Sequence, residues 1–343
     1  MLVRVMNATT PNPGQQLLQI ACGYIASSSL YVATTLNVAD HLASGPKTMA
    51  ELARATGANE DALYRVLRLL ASLGVFEETG ARRFGLTPAA ELLRKDAPGS
   101  LRGMAVFLPD PVHFRVYANS LDAVMTGKPA GDTTLGMPLF EYFAKNPDYS
   151  QVFNDAMTAL SAPVIAAALD AYDFSPFGVI VDVAGGHGEV LMSILRKCPG
   201  VRGVLADVGH VIDGAKPRIA NAGLADRCQA VACDFFQSVP EGGDAYVMKH
   251  ILHDWDDARA TKILQNIGKA MGAKGGKMIL LESVIATGPD LGKFIDIEML
   301  NMSQGGRERS ADEFRALFAG AGFEMTKVVP TKSPLSVVEA VRK

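Results

Sequence analysis

Cysteine is scarce, net charge is small and no apolar run is long and unbroken, and each shortage removes a class of protein. The four cysteines, Cys22, Cys198, Cys228 and Cys233, form no C-x-x-C pair and have no histidine at metal-ligand spacing. That leaves neither a disulfide framework nor a metal site, and predicts reduced thiols in a cytoplasmic chain. A net charge of −3 and a pI near 6.1 give no electrostatic footprint for nucleic acid. Residues 17–42 are apolar but broken by Gln19, three serines, two threonines and Asn37, too polar to cross a bilayer. The first residues lack the basic flank and apolar core of a secretory signal. What remains is the profile of a globular enzyme: 343 residues, 48% hydrophobic and 20% charged, enough for two domains with self-sufficient cores.

Three regions are expected, at residues 1–103, 104–171 and 172–343. In the first, Thr48 with Glu51 three residues on forms a capping box, and Gly57 stops the helix it opens. Asn59 caps a second helix with Leu63, Val66, Leu67, Leu70 and Leu73 on one face. Residues 75–78 and 82–86, joined by a Thr79-Gly80 turn, read as a hairpin, which makes the region mainly helical with a β wing. Its second helix carries Arg65 and Arg68 but also Glu60 and Asp61. Dimerisation through the apolar first helices suits that composition better than a grip on phosphates. The middle region is helical and rich in Phe and Met. There Phe153, Met157 and Leu160 fall at i, i+4 and i+7, one helix face that can line an apolar substrate pocket. In the third region strands at 179–183, 203–206, 230–232, 245–249 and 277–282 alternate with helices, the pattern of a Rossmann-like doubly wound α/β sheet. Two further strands, 324–329 and 336–340, are joined by a link too short for a crossover helix and predict a closing antiparallel hairpin.

The most specific segment is VDVAGGHG at residues 181–188. Ile180, Val181 and Val183 read as a buried strand, and Gly185, Gly186 and Gly188 as the turn after it. Val190, Leu191, Ile194 and Leu195 mark the helix that follows, an order that brings backbone within contact distance of a ligand. Asp207 ends the next apolar run 19 residues after Gly188, where a Rossmann-type fold offers a carboxylate to ribose hydroxyls. The third glycine of a dinucleotide fingerprint falls on Leu191, and Asp182 adds negative charge inside the strand. Both features favour a ligand with an ammonium and a sulfonium, S-adenosylmethionine, over one with phosphates. The closing hairpin agrees by fold analogy, since hydride-transferring Rossmann domains do not usually end this way and methyltransferases do.

Residues just past strand ends face the ligand crevice of an open α/β sheet. The strand at 245–249 leads into His250, His253 and Trp255. His253 is placed to meet a substrate, and Trp255, the only tryptophan, to wall one side of the site. His250 reads as a packed or satisfied side chain. Glu282 closes the next strand, and Glu308 sits in GGRERS at 305–310. A histidine base needs a carboxylate to fix its tautomer and steady the cation it becomes. Taken alone, Glu308 reads as a solvated loop charge or as a capping charge for the following helix.

VDVAGGHG, DVGHVI at 207–212, CDFF at 233–236, Lys249 through HDWDD, LLESVI around Glu282, and GGRERS together carry a resemblance. The chain resembles the S-adenosylmethionine-dependent O-methyltransferases of the plant caffeate and flavonoid type, with their bacterial natural-product and acetylserotonin relatives. The likeness spans essentially the whole sequence and implies a winged-helix domain that makes a homodimer. It implies S-adenosylmethionine as donor, S-adenosylhomocysteine as product and a small hydroxylated acceptor. By the same likeness His253 is the general base, flanked by Glu282 and Glu308. Gly185 and its neighbours Asp182, Gly186 and Gly188 hold the methionine part, Asp207 the ribose, and Asp234 and Phe235 the adenine. Lys249 and Ser161 also lie at the cofactor. The helix carrying Phe153 and Met157 faces substrate, as does Asp296 in FIDIEML. Ala184 replaces the first glycine of the usual VDVGGG, a change expected to be tolerated in ordinary backbone. Leu160 stands where some phenolic-acid methyltransferases carry a polar residue, which points away from plant-type phenylpropanoids.

The expected reaction is methyl transfer to a hydroxyl of a small, aromatic secondary metabolite. Three rivals stand beside it: N-methylation, decarboxylation or hydroxylation on the same fold, and a winged-helix regulator that senses a metabolite. The histidine with both glutamates favours O-methylation, because a base is superfluous otherwise.

Overall fold

A computed structural model describes residues 12–343; the opening residues, which the sequence reads as free of a secretory signal, lie outside them. The chain divides into two compact units. One comprises the residues up to Tyr117 with Phe143–Leu160, the other Ala118–Tyr142 with Ser161–Lys343. Residues 104–171 are therefore shared between the units and do not form a region of their own. Close packing explains the division. A Cβ on Gly103 would fall 2.7 Å from the Asp155 carbonyl oxygen, which ties 143–160 to the first unit. Gly131 abuts the Asn301 carbonyl in the same way, and Gln304 donates to Asp132 at 2.6 Å, which ties 118–142 to the second.

In the first unit α1 (Pro13–Ala21) and α2 (Gly23–Thr35) precede β1 (Lys47–Thr48), α3 (Met49–Thr56) and α4 (Glu60–Ser72). The wing, β2 (Phe76–Gly80) and β3 (Arg83–Leu86), pairs antiparallel, and β1 adds a third strand on the far side of β3. Two residues are too short to show alternation, so β1 was not legible. The Thr48–Glu51 capping box forms, and Gly57 ends α3 at φ +71°. Asn59 caps α4 by accepting from the Ala62 N–H at 3.0 Å. Leu63, Leu67 and Leu70 then pack on Met49, Leu52, Phe76 and Phe84. By contrast α1 buries nothing, and its Leu17, Leu18 and Ile20 are 67–69% exposed. The helix α5 (Pro147–Ala171) is long and apolar enough to match a membrane span by composition. Its Ala156, Val164, Ile165 and Ala168 are nevertheless buried inside the protein.

The second unit is built on β4 (Val179–Val183), α6 (Glu189–Lys197), β5 (Arg202–Asp207), β6 (Cys228–Ala232), β7 (Ala245–Lys249) and β8 (Lys277–Glu282). Short β9 (Val284–Ile285), helix α7 (Gly292–Met302), β10 (Arg309–Ser310), β11 (Phe323–Pro330) and β12 (Ser336–Arg342) follow, with further helices packed between the strands. The sheet order is β11-β12-β8-β7-β4-β5-β6. Its five central and outer strands run parallel, and the β11–β12 hairpin adds antiparallel against β8, as expected. The order reverses between β5 and β7 around β4, and such a switch point opens a crevice past the strand ends. There β9 and β10 pair in parallel, Val284 with Arg309, which brings the segments after Glu282 and Glu308 side by side.

Candidate active site

The loop after β4 turns at once. Ala184 donates its N–H to the Ala206 carbonyl at 2.7 Å and adopts φ +56°, followed by left-handed Gly186 and Gly188. The backbone at Ala184 is thus not ordinary, so the condition on which the substitution would be free of strain is not met; the chain must reverse within one residue of the sheet. A non-glycine residue there carries about 1–2 kcal/mol of strain. Ala184→Gly is expected to stabilise the protein by about 1 kcal/mol, the strain relieved less the freedom glycine adds to the unfolded chain. A denaturant midpoint that falls or stays put would show the turn to be unstrained.

Asp182 lies beneath this loop and is buried to 1% exposure. A Cβ on Gly185 would sit 2.5 Å from its carboxyl carbon and 2.5 Å from Leu205 Cδ1, so the loop rests directly on it. Burial pushes the Asp182 carboxyl up to about 7, opposed by the Leu191 N–H and by Lys249. It forms a floor to the loop from inside the strand. Asp207 ends β5 at the loop's other side. Its Oδ2 accepts from the Gly186 N–H at 2.8 Å and its Oδ1 from the Val208 N–H at 2.7 Å. Each oxygen keeps a lone pair for a ligand hydroxyl. Leu191 covers Gly203, where a Cβ would lie 2.8 Å from its methyls, so β5 provides the close helix–strand approach that a third glycine would otherwise give.

Beyond β6, the Cys233 N–H bonds to the Asp207 carbonyl at 2.8 Å, which sets Asp234 and Phe235 beside the loop. Phe235 and Phe236 pack with Trp255, ring centroids 6.2 and 4.8 Å away. Trp255, expected to wall the substrate side of the site, thus packs against Phe235, which the sequence reading assigned to adenine. Lys249, at the end of β7, is held below its usual pKa by burial, with Glu282 and Asp182 opposing.

Past β7 and β8 the structure brings together His253, Glu282 and Glu308, one donor atom of each lying within 4.8 Å of the others. All three are buried. That spacing would suit a metal ion, but His253 Nδ1 and Glu308 Oε1 are 2.7 Å apart, a distance that a shared proton fills. Glu308 is thus neither solvated nor a cap; Ser310 and Glu313 cap the next helix. Glu282 Oε1 accepts from the N–H groups of Ile251 and Leu252 at 3.0 Å each, and so shapes the turn that presents His253. Burial pulls the His253 pKa down, but Asp254, Glu282 and Glu308 outweigh it and raise it to about 10. Burial lifts Glu282 to about 7 against the pull of His253. Asp296 accepts from the Glu308 N–H at 2.9 Å and positions that carboxylate.

Two residues of this cluster, Asp254 and Arg309, escaped the sequence reading. Asp254 stands 3.6 Å from His253 Nε2. Arg309, 1% exposed, clamps the turn from below, with bonds to the carbonyls of Leu252 (3.0 Å) and Trp255 (2.8 Å) and to Asp257. His250, read as packed or satisfied, packs on the His253 ring and has no protein partner for Nε2. Arg309 acts through contacts distant in sequence, which no local pattern signals. Phe153, Met157 and Leu160 belong to the first unit, where Phe153 stacks on Phe143 at 4.6 Å and meets Phe107 at 5.4 Å. Ser161 begins the second unit's share of α5.

A doubly wound sheet closed by an antiparallel hairpin, with a glycine turn and Asp207 at its switch point, defines a methyltransferase-type cofactor fold. Sequence comparison carries this further. Residues 117–324 match the O-methyltransferase domain and residues 18–96 the O-methyltransferase dimerisation domain. The chain is 46% identical over 326 residues to the phenazine O-methyltransferase of Lysobacter antibioticus, covering 94% of this chain and 95% of that protein. It is 34% identical to the 8-amino-8-demethylriboflavin N,N-dimethyltransferase of Streptomyces davaonensis, covering 95% and 94%. It superposes with a TM-score of 0.80 at 32% identity on an O-methyltransferase from neocarzinostatin biosynthesis in complex with S-adenosylmethionine and 2-hydroxy-5-methyl naphthoic acid, covering 98% and 100%. The chain belongs to the O-methyltransferase family and uses S-adenosylmethionine.

Proposed function

We propose that the protein methylates a hydroxyl of a small, flat aromatic secondary metabolite, with His253 as general base. The observation that carries the reading is the buried His253–Glu308 pair at 2.7 Å. Nδ1–H is committed to Glu308, so Nε2 is the atom available to an acceptor. A phenol, with a pKa near ~10 like tyrosine, is mostly protonated at neutral pH and a weak nucleophile. Neutral His253 takes that proton as the oxygen attacks, and the carboxylates steady the imidazolium. Bound S-adenosylmethionine supplies a methyl group activated by its sulfonium. The protein's share is alignment and proton removal. An acceptor screen with isotope-labelled methyl donor, read by mass, tests the reading; label on nitrogen or carbon but never oxygen would defeat it. N-methylation is the second reading, favoured by the riboflavin-type relative.

We assign the ribose to Asp207, the methionine part to the loop at 185–188, and the adenine to Asp234, Phe235 and Trp255. Asp207→Ala is expected to weaken S-adenosylmethionine binding about 10–100-fold, since hydrogen bonds to a charged group contribute ~1.5–3 kcal/mol. Unaltered affinity in calorimetry would remove Asp207 from that role. The exposed apolar face of α1 supports a homodimer. Leu17→Glu with Ile20→Glu is expected to yield monomers in sedimentation velocity, and an intact dimer would place the interface elsewhere. All four cysteines are free thiols, consistent with a cytoplasmic enzyme, which cell fractionation checks.

A further inference from the structure

We propose that His250 is a positioning residue for this reaction, holding the His253 ring in place by face-to-face stacking. The proposal rests on His253 being the base. The two rings lie 4.9 Å apart, tilted by only 16°. His250 reaches this place at φ +52°, a left-handed conformation rare outside glycine, and its N–H is pinned to the Leu281 carbonyl of β8 at 3.2 Å. Its Nε2 is buried without a protein partner. Strain and an unpaired buried nitrogen persist only where the surroundings impose them, and they gather at working sites.

The gain lies in the neighbour. His253 must become a cation in a buried setting, edged by Glu308 at Nδ1, Asp254 near Nε2, and Glu282. Those carboxylates meet the ring edge, and a neutral aromatic ring covers its face. Burial, His253 and Lys249 all hold the His250 pKa well below the ordinary value, so His250 stays uncharged while its partner titrates. Two stacked cations would repel. The strand end at Lys249 fixes one ring, and the stack passes that orientation to the other.

His250→Leu and His250→Phe carry the same backbone strain and fill comparable volume, so they differ mainly in the ring. His250→Phe is expected to keep kcat and the pH profile of kcat/KM within twofold of wild type. His250→Leu is expected to lose about tenfold in kcat, with KM for S-adenosylmethionine unchanged and the ascending limb displaced by about one pH unit to lower pH. Identical behaviour of the two variants would overturn the proposal and leave a packing role only. If His250→Leu does not fold, 15N NMR titration of wild type decides the matter. His250 must remain neutral from pH 5 to 9, and a His250 that protonates in that range defeats the stack. Full turnover in His253→Ala would instead refute the underlying assignment of the base.

Discussion

His253→Ala is expected to lower kcat by ~10²–10⁴-fold, the usual worth of a positioned general base, while S-adenosylmethionine binds within about twofold of wild type. Calorimetry beside single-turnover kinetics separates the two quantities. Unchanged turnover, or equal loss of binding and rate, would sink the role. The pH profile gives a second, sharper reading. Only neutral imidazole accepts a proton, and the carboxylates raise the His253 pKa to about 10. The ascending limb of kcat/KM should therefore lie on the alkaline side of an ordinary histidine at ~6.5. Glu308→Gln removes one of the raising groups and should move that limb to lower pH as it slows the reaction.

Stability should run the opposite way. The pKa of His253 is raised in the folded state, so its contribution is full below ~6.5 and fades as pH climbs toward 10. Asp182 and Glu282, both lifted to about 7, weaken the fold as pH rises from their ordinary range through 7. A thermal midpoint that declines from neutral to alkaline pH, while activity climbs, is the expected pattern. A midpoint flat across that span would mean that these buried groups are not linked to folding.

Gly185→Ala is the second change with a large expected effect. Its new methyl would meet Asp182 and Leu205 at 2.5 Å, and Leu205 is fully buried. Neither neighbour can retreat without disturbing the core under β4, so the loop itself must lift. Overpacking of this kind destabilises by about 1–3 kcal/mol. Because the displaced backbone also carries the Gly186 N–H that bonds Asp207, cofactor affinity should fall by roughly 10–100-fold, as for loss of a charge-assisted hydrogen bond of about 1.5–3 kcal/mol. Gly186→Ala offers a contrast, since no atom lies near its Cβ and only its left-handed φ of +59° resists a side chain. Equal, small effects on binding at both positions would show that the loop tolerates displacement.

Much of the architecture was legible because it is written in local pattern. Thr48 with Glu51, and Asn59 before an apolar helical face, are signals read within one turn. Strands such as Val179–Val183 and Lys277–Glu282 are runs of buried apolar residues with clear ends. The same locality explains the misses. Ala184 in left-handed backbone depends on where β5 accepts its N–H, and the parallel pairing of Val284 with Arg309 joins segments 25 residues apart. The packing of Trp255 on Phe235 and Phe236 likewise joins residues about twenty apart, a contact no local pattern shows.

By itself, the sequence determined the class of cofactor and the candidate base: a glycine turn, a carboxylate 19 residues on and a histidine past a strand are short-range features. Tertiary structure decided how that histidine is equipped. Glu308 is 55 residues from His253 and Glu282 is 31 residues from Ile251; the sequence named both acids, but spacing alone does not bring them to the histidine. The physical reason is burial. A carboxylate acquires a strong effect on a histidine only where water is excluded from both, and which residues share such a place is settled by how β7, β8 and the GGRERS segment meet.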